Sequence, residues 1–307
     1  MFAIFNPAAG RGRGARLIET YLPLLTDRLP DLRHAVTSQP GNERELADQA
    51  IADGYDTVVA MGGDGTLSHV ADRLAAAERD VRFGVLPAGT GNDLCRNLGI
   101  DHRDPAGAVQ RLVAGRSRRI DVGRIHTASR PDARPDLEPR PRHFLNVVGF
   151  GFDIAVIDAA ESARFLRGEI LYKVTALQQL FRFPGFEAAL RNGSEVLHDG
   201  ETLMLTVSNG RYFGGGFPIA PDASLSDGAL HACRIADAGP LERAVLFNKA
   251  ERGRHLTSAR VRIHAASGFQ LEFPAPPRFE ADGDVFVSSA STVELEVLPN
   301  RLPVLVG

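Results

Sequence analysis

A chain of 307 residues is twice the ~150 that a single domain usually takes, so two domains are the starting expectation. With 44% hydrophobic and 24% charged residues it has the make-up of a folded globular protein, which excludes a disordered, collagen-like or coiled-coil chain. A net charge of -3 excludes a globally basic nucleic-acid binder, although of 35 basic residues only Lys173 and Lys249 are not arginine, which favours bidentate phosphate contact wherever a cation is needed.

In chain order, apolar strands first alternate with helical stretches: FAIF at 2–5, a helix near 13–27, HAV at 34–36, a helix near 42–53, TVVAM at 57–61, a helix near 66–78 and FGVLP at 83–87. Short, continuously apolar strands joined by helices predict βαβ units and a parallel sheet buried on both faces. After residue 120 the pattern changes to HFLNVVGF at 143–150, TLMLTVSNG at 202–210, ALHACRI at 229–235, ARVRIHA at 259–265 and TVELEVLP at 292–299, which predict an antiparallel β-sandwich or barrel. Helical spacing returns near 152–182 and 240–252, and the Pro- and Arg-rich segment 127–142 reads as a solvated loop. The fold class is therefore an α/β nucleotide-binding domain over 1–122 followed by a β-rich domain over 123–307, whose last strand is free to return to the first.

No run approaches the ~18 apolar residues that span a bilayer, and the opening MFAIFNPAAGRG lacks the pattern of a signal peptide. The two cysteines, Cys95 and Cys233, are far apart and form no C-x-x-C, so a cytoplasmic setting is expected. Three Gly-rich turns follow strands of the predicted parallel sheet: NPAAGRGRG at 6–14, MGGDGTLSHV at 61–70 and PAGTGND at 87–93. Such turns let a phosphate approach the backbone, the free amides at a helix start attract it, and open α/β sheets bind ligands at this edge. A bare strand-to-helix turn with Thr66 as N-cap is the competing explanation. Neither G-x-G-x-x-G nor G-x-x-x-x-G-K-[ST] is matched.

With SLSDGAL at 224–230 and ADGD at 281–284, these motifs resemble, in order and over almost the whole chain, the diacylglycerol kinase catalytic-domain superfamily, which includes soluble bacterial lipid kinases and sphingosine kinases. The resemblance implies ATP binding by Asn6, Pro7, Ala8, Ala9 and Gly10, by Thr37, by Gly62, Gly63, Asp64, Gly65, Thr66, Leu67 and Ser68, and by Thr90, with Asn common at the Ser68 position. It implies that Asp64 and Asp93 help to hold the magnesium of MgATP. Asp227, with backbone carbonyls of Ser224 and of Ala229 or Leu230, would hold a structural Mg²⁺. Asp284 would be the proton acceptor with Asp282 as its partner, in a pattern that more often reads D-G-E.

The function expected is ATP-dependent phosphorylation of a lipid hydroxyl such as that of diacylglycerol, with transient contact at the inner membrane face and a homodimer left open. An NAD kinase-like phosphotransferase and a non-catalytic nucleotide- or lipid-binding regulator are the alternatives. Weaker features take structural readings. Asp53 and Asp199 are turn residues, His69, His255 and His264 are surface or hydrogen-bonded framework residues, and GRSRRIDVGR at 115–124 is a solvated face. FGGGFPIAP at 213–221 is either a substrate-side loop or a plain connection.

Overall fold

The computed structural model describes residues 1–126, 129–131, 141–152, 154–157 and 182–307. Strands β1 (Phe2–Phe5), β2 (Arg33–Val36), β3 (Thr57–Gly62) and β4 (Arg82–Pro87) pair in parallel in the order β2-β1-β3-β4. Every residue of β3 and all but the first of β1 and β4 are buried, which is why these strands read as apolar runs without alternation. Of the helices α1 (Ala9–Arg28), α2 (Asn42–Ala52), α3 (Asp64–Ala76), α4 (Asp93–Asn97) and α5 (Pro105–Ala114), α1 packs beside α5 and α2 beside α3. Helix α5 shows local determinants at both ends: Asp104 caps it by accepting from the Gly107 amide at 2.9 Å, Pro105 opens it, and Gly115 closes it at φ 66°. Gly10, Arg11 and Gly12 are left-handed, so regular helix in α1 begins near residue 13 as expected.

The rest is β-rich: β5 (Ser117–Ile125), β6 (Ser129–Pro131), β7 (Arg142–Phe144), β8 (Val147–Gly151), β9 (Phe186–Asn192), β10 (Glu195–Thr202), β11 (Met204–Ser208), β12 (Leu230–Ile235), α6 (Pro240–Glu251), β13 (Val261–Ala266), β14 (Gly268–Glu272), β15 (Arg278–Ala281), β16 (Asp284–Ser288) and β17 (Thr292–Leu305). One antiparallel sheet runs β13-β12-β11-β8-β15-β16-β6. Facing it, β10-β9-β14-β17 extend the first sheet. Phe150 and Phe279 from the former and Phe269, Leu271 and Leu295 from the latter share one core, so the architecture is the expected β-sandwich beside an α/β layer. β17 joins the two: its early part pairs with β14, and Val304 pairs in parallel with Phe83 of β4.

Several local expectations change. The run 143–150 is broken into β7 and β8 at Leu145–Asn146, where a side chain from elsewhere takes the amides. The Arg-rich stretch 115–124 is solvated as expected at Arg116, Arg118 and Arg119, but it continues as strand β5 with Ile120 and Val122 fully buried against β17. Asp199 lies inside β10 opposite Ala189, and the turn that precedes this strand uses Gly193 at φ 55° instead. Thr66 is not an N-cap, because α3 starts two residues earlier behind Gly63. Of the helical segment expected near 152–182, residues 154–157 are helical, and the remainder of that expectation lies outside the described residues, as does most of the loop 127–142.

Candidate active site

The turns after β1, β3 and β4 meet at the carboxyl edge of the parallel sheet, and their contacts are those only glycine permits. A Cβ on Gly63 would lie 3.2 Å from the Gly89 Cα, one on Gly62 would lie 2.4 Å from Thr66, and one on Gly10 would lie 2.4 Å from the Ala88 carbonyl. Asn6 ties the first turn to the second: its amide nitrogen donates to Thr66 Oγ1 at 2.8 Å, and its oxygen accepts from the Ala8 amide at 2.9 Å. Gly65 differs, since a Cβ there would meet nothing nearer than Asp284 Oδ1 at 3.9 Å. Open space therefore lies beside the first turn of α3, the turn whose amides have no intrahelical partner. Thr90 is exposed at the same edge, Thr37 is buried at the end of β2 with its amide on Phe5, and the Leu67 side chain belongs to the core.

Two carboxylates stand next to these turns. Asp64 accepts from the Leu94 amide at 3.3 Å, and Asp93 accepts from the Gly215 amide at 2.9 Å through Oδ2. Burial raises both above the ordinary carboxylate range, and burial together with the Asp64 charge pushes Asp93 up to about 7. The Asp93 Oδ1 atom is buried without a hydrogen-bond partner among the described residues. Paired carboxylates with an unfilled acceptor suit Mg²⁺, which takes one or two carboxylates and keeps several waters. The donor set fits the cation of a bound nucleotide.

ADGD at 281–284 is both a hairpin and part of the site. Asp282 (φ 49°) and Gly283 (φ 97°) form the two-residue loop between β15 and β16, a demanding backbone that Asp-Gly supplies. Asp282 is 5% exposed, and its oxygens accept from the amides of Leu145, Asn146 and Val147 at 2.6, 2.9 and 3.1 Å. This carboxylate is what breaks the run 143–150. Burial raises it, while those amides and the Ser68 hydroxyl act in the opposite sense. Asp282 and Asp284 have separate hydrogen-bond partners, backbone amides for the first and side-chain cations for the second.

Asp284 instead gathers cations on Oδ2. His69 Nε2 is bonded to it, Arg44 lies at 3.1 Å, and Arg142, stacked on the Phe286 ring, lies at 3.8 Å. The other ring nitrogen of His69 is bonded to Glu43, which is 4% exposed. Burial would raise Asp284, but the His69 hydrogen bond and the charges of His69, Arg44 and Arg142 outweigh it and hold the group below the usual carboxylate range. His69 is thus a hydrogen-bonded residue of the site rather than of the surface, and Arg44, Arg142 and Glu43 were not anticipated. The signal for His69 was its place four residues after Gly65, on the same face of α3.

In the SLSDGAL segment the Asp227 carboxylate closes a turn. Asp227 accepts from the amides of Ser224 at 2.9 Å and Ala229 at 3.1 Å and is 3.0 Å from His231 Nε2, whereas the expected ligands were the carbonyls of Ser224 and of Ala229 or Leu230. Leu230 is buried in β12, and Asp121 holds the turn by accepting from Gly228 at 2.7 Å. The residues form a turn closed on Asp227, so a cation on its carboxylate would compete with these hydrogen bonds. Asp227→Ala should cost about 1–3 kcal/mol, equally with and without Mg²⁺ in thermal melts. A Mg²⁺-dependent stabilisation that the variant loses would restore the cation.

A cleft of about 920 Å³ opens between the Gly-rich turns and the Asp282–Gly283 hairpin loop. Asp64, Thr90 and Asp93 line one side, Asn146, Asp282 and Gly283 another, and Phe213, Phe217 and Phe247 supply aromatic surface. FGGGFPIAP is therefore a cleft-lining loop, pinned where Gly215 donates to Asp93 and where His255 donates to the Ile219 carbonyl at 2.9 Å.

Residues 1–125 match the model of the diacylglycerol kinase catalytic domain, and residues 146–306 match that of the YegS C-terminal NAD kinase beta sandwich-like domain. The chain is 30% identical over 305 residues to a diacylglycerol kinase of Mycobacterium tuberculosis, covering 99% of this chain and 94% of that protein. It is 28% identical over 294 residues to a Klebsiella pneumoniae protein named "Probable lipid kinase YegS-like", covering 95% and 92%. A crystal structure of a diacylglycerol kinase from Bacillus anthracis superposes with a TM-score of 0.73 at 21% identity, covering 100% of this chain and 96% of that one, which establishes the shared fold. The chain belongs to the diacylglycerol kinase catalytic-domain family and is, at family level, a lipid kinase with a YegS-type C-terminal domain.

Proposed function

We propose that the protein transfers the γ-phosphoryl group of ATP to the free hydroxyl of a diacylglycerol. The observation that carries this reading is the cleft, which sets the Gly-rich turns and the Asp64/Asp93 pair beside Phe213, Phe217 and Phe247. A polar, phosphate-accepting wall and an aromatic wall suit a nucleotide and a lipid together, whereas the polar acceptor of an NAD kinase has less use for the second. The names of the relatives agree.

Phosphoryl transfer asks for positioning and charge neutralisation more than for covalent help from the protein. In this reading the turns at 6–10, 62–68 and 90 hold the phosphates, and Asp64 and Asp93 would hold Mg²⁺, which when bound would supply charge neutralisation. The acceptor oxygen bonds to the γ-phosphorus as the bond from that phosphorus to the bridging oxygen of ADP breaks. The hydroxyl proton passes to Asp284 Oδ1, the oxygen on the Gly65 side. Asp282, saturated by backbone amides, is assigned to the framework that aligns β8 with the hairpin. The lipid comes from a membrane, so the enzyme works in transient contact with its surface. No helix among the described residues is long and apolar enough to cross one.

The test is incubation with γ-labelled ATP, Mg²⁺ and separate micellar acceptors: diacylglycerol, monoacylglycerol and a sphingoid base, with NAD as the polar control. Labelled phosphatidic acid as the dominant product is expected. Dominant labelling of NAD, or of none of the four, would overturn the reading.

A further inference from the structure

A chain of charges in which the transfer scheme gives a task to Asp284 alone runs Glu43, His69, Asp284. Its ends come from α2 and β16, and its middle from α3, one turn after Gly65. Both ring nitrogens of His69 face carboxylate oxygens, Glu43 at Nδ1 and Asp284 at Nε2. A neutral imidazole has one donor, so it would set a lone pair against one of these oxygens, and only the doubly protonated ring satisfies both. The His69 side chain is 12% exposed and that of Glu43 is 5%, so this charge is held by its two partners and not by water. Arg44, the other charged neighbour on α2, lies on the same Asp284 oxygen as the ring, as does Arg142 of β7.

We propose that His69 is a positioning residue for phosphoryl transfer: an imidazolium clamped between Glu43 and Asp284 that fixes Asp284 through Oδ2 and leaves Oδ1 presented to the cradle. This rests on the assignment of Asp284 as proton acceptor. It also accounts for how Asp can serve where the resembling family more often has Glu. The shorter side chain is anchored by a ring from α3 and two guanidinium groups, so its reach is set by its anchors. The direction of titration agrees. Burial opposes charge on His69, but its hydrogen bonds to Asp284 and Glu43 outweigh burial and the repulsion of Arg44, so the imidazolium persists above its ordinary range. Glu43 is lowered, burial being outweighed chiefly by its bond to His69.

The consequences have a sign on each side of neutrality. At saturating MgATP, where a bound cation keeps Asp64 and Asp93 ionised, turnover in the wild type should fall at alkaline pH as His69 loses its proton, and should persist in acid until Asp284 is protonated below the ordinary carboxylate range. In His69→Gln the alkaline fall attributable to the imidazolium disappears, and the acid limb moves upward, since Arg44 and Arg142 alone hold Asp284 ionised. The loss of one charge-assisted hydrogen bond on the acceptor predicts a kcat about ten- to a hundredfold lower at neutral pH, with ATP affinity unchanged. Because His69→Gln leaves Glu43 buried without its cation, Glu43→Gln/His69→Gln is measured beside it and should show the same kcat and pH profile.

The experiment is kcat against pH for the wild type, both variants and Asp284→Asn, with calorimetric ATP affinity and thermal melts, using micellar diacylglycerol. A lowered kcat with the shifted acid limb in a folded variant supports the proposal. If either folded variant keeps the wild-type kcat and profile while Asp284→Asn is inactive, His69 is only structural and the proposal fails. If Asp284→Asn is itself active, the assignment of the proton acceptor fails, and the role of His69 falls with it.

Discussion

Asp284→Asn is expected to lower turnover by roughly 10²–10⁴, the range general-base catalysis supplies, while ATP binds as in the wild type. The substitution keeps volume and removes the charge on which His69, Arg44 and Arg142 converge, so a loss confined to turnover separates proton acceptance from nucleotide binding. A carboxylate held below its usual range is a weak base. The loose transition state of phosphoryl transfer makes its position matter more than its strength. The matching change at Asp282 should behave differently, because its oxygens serve the amides of Leu145, Asn146 and Val147. Asp282→Asn puts an N–H where a carboxylate accepted, so a fall in thermal stability should accompany any fall in turnover. Stopped assays at saturating lipid, with ATP affinity from calorimetry, distinguish the two.

Gly65→Val is expected to weaken ATP binding by about a hundredfold or more, some 2.7 kcal/mol, without lowering the melting temperature. The branched side chain would enter the open space beside the first turn of α3, where nothing but Asp284 Oδ1 comes within 4 Å of a Cβ. Glycine is the poorest ordinary residue in a helix, so valine there does not penalise folding. Gly63 is a less discriminating position, because a side chain there would press on Gly89 and disturb the packing of two turns. Calorimetric titration with ATP beside a melt checks this. Unchanged affinity would remove the phosphates from the Asp64–Leu67 turn.

The parallel layer was readable because burial on both faces leaves strands such as Thr57–Gly62 uniformly apolar, and three of its turns carry glycines with a packing reason. The strands missed lacked such a signal. EVLHDGET of β10 is half exposed and largely polar, and β14 and β15 are short strands that each take one partner, β9 and β8, from far away in sequence. Asp282 and Asp284 could be singled out by motif, but not told apart. What separates them is the Leu145–Val147 backbone, some 136 residues away for Asn146, and the cations of α2, α3 and β7. Asp227 shows the converse, since its spacing suits a cation ligand equally well on paper, and only the direction of the Ser224 and Ala229 amides favours a turn.

The most direct measurement is a single-turnover quench in which enzyme preloaded with γ-labelled ATP and Mg²⁺ is mixed with micellar diacylglycerol, and lipid, inorganic phosphate and ADP are separated at each time. Label should pass into the lipid as phosphatidic acid in amounts matching the ADP formed, with the same transfer slowed in Asp284→Asn. ADP accompanied only by labelled inorganic phosphate, or bound ATP consumed at the same rate without the lipid, would contradict transfer to a lipid hydroxyl in this cleft.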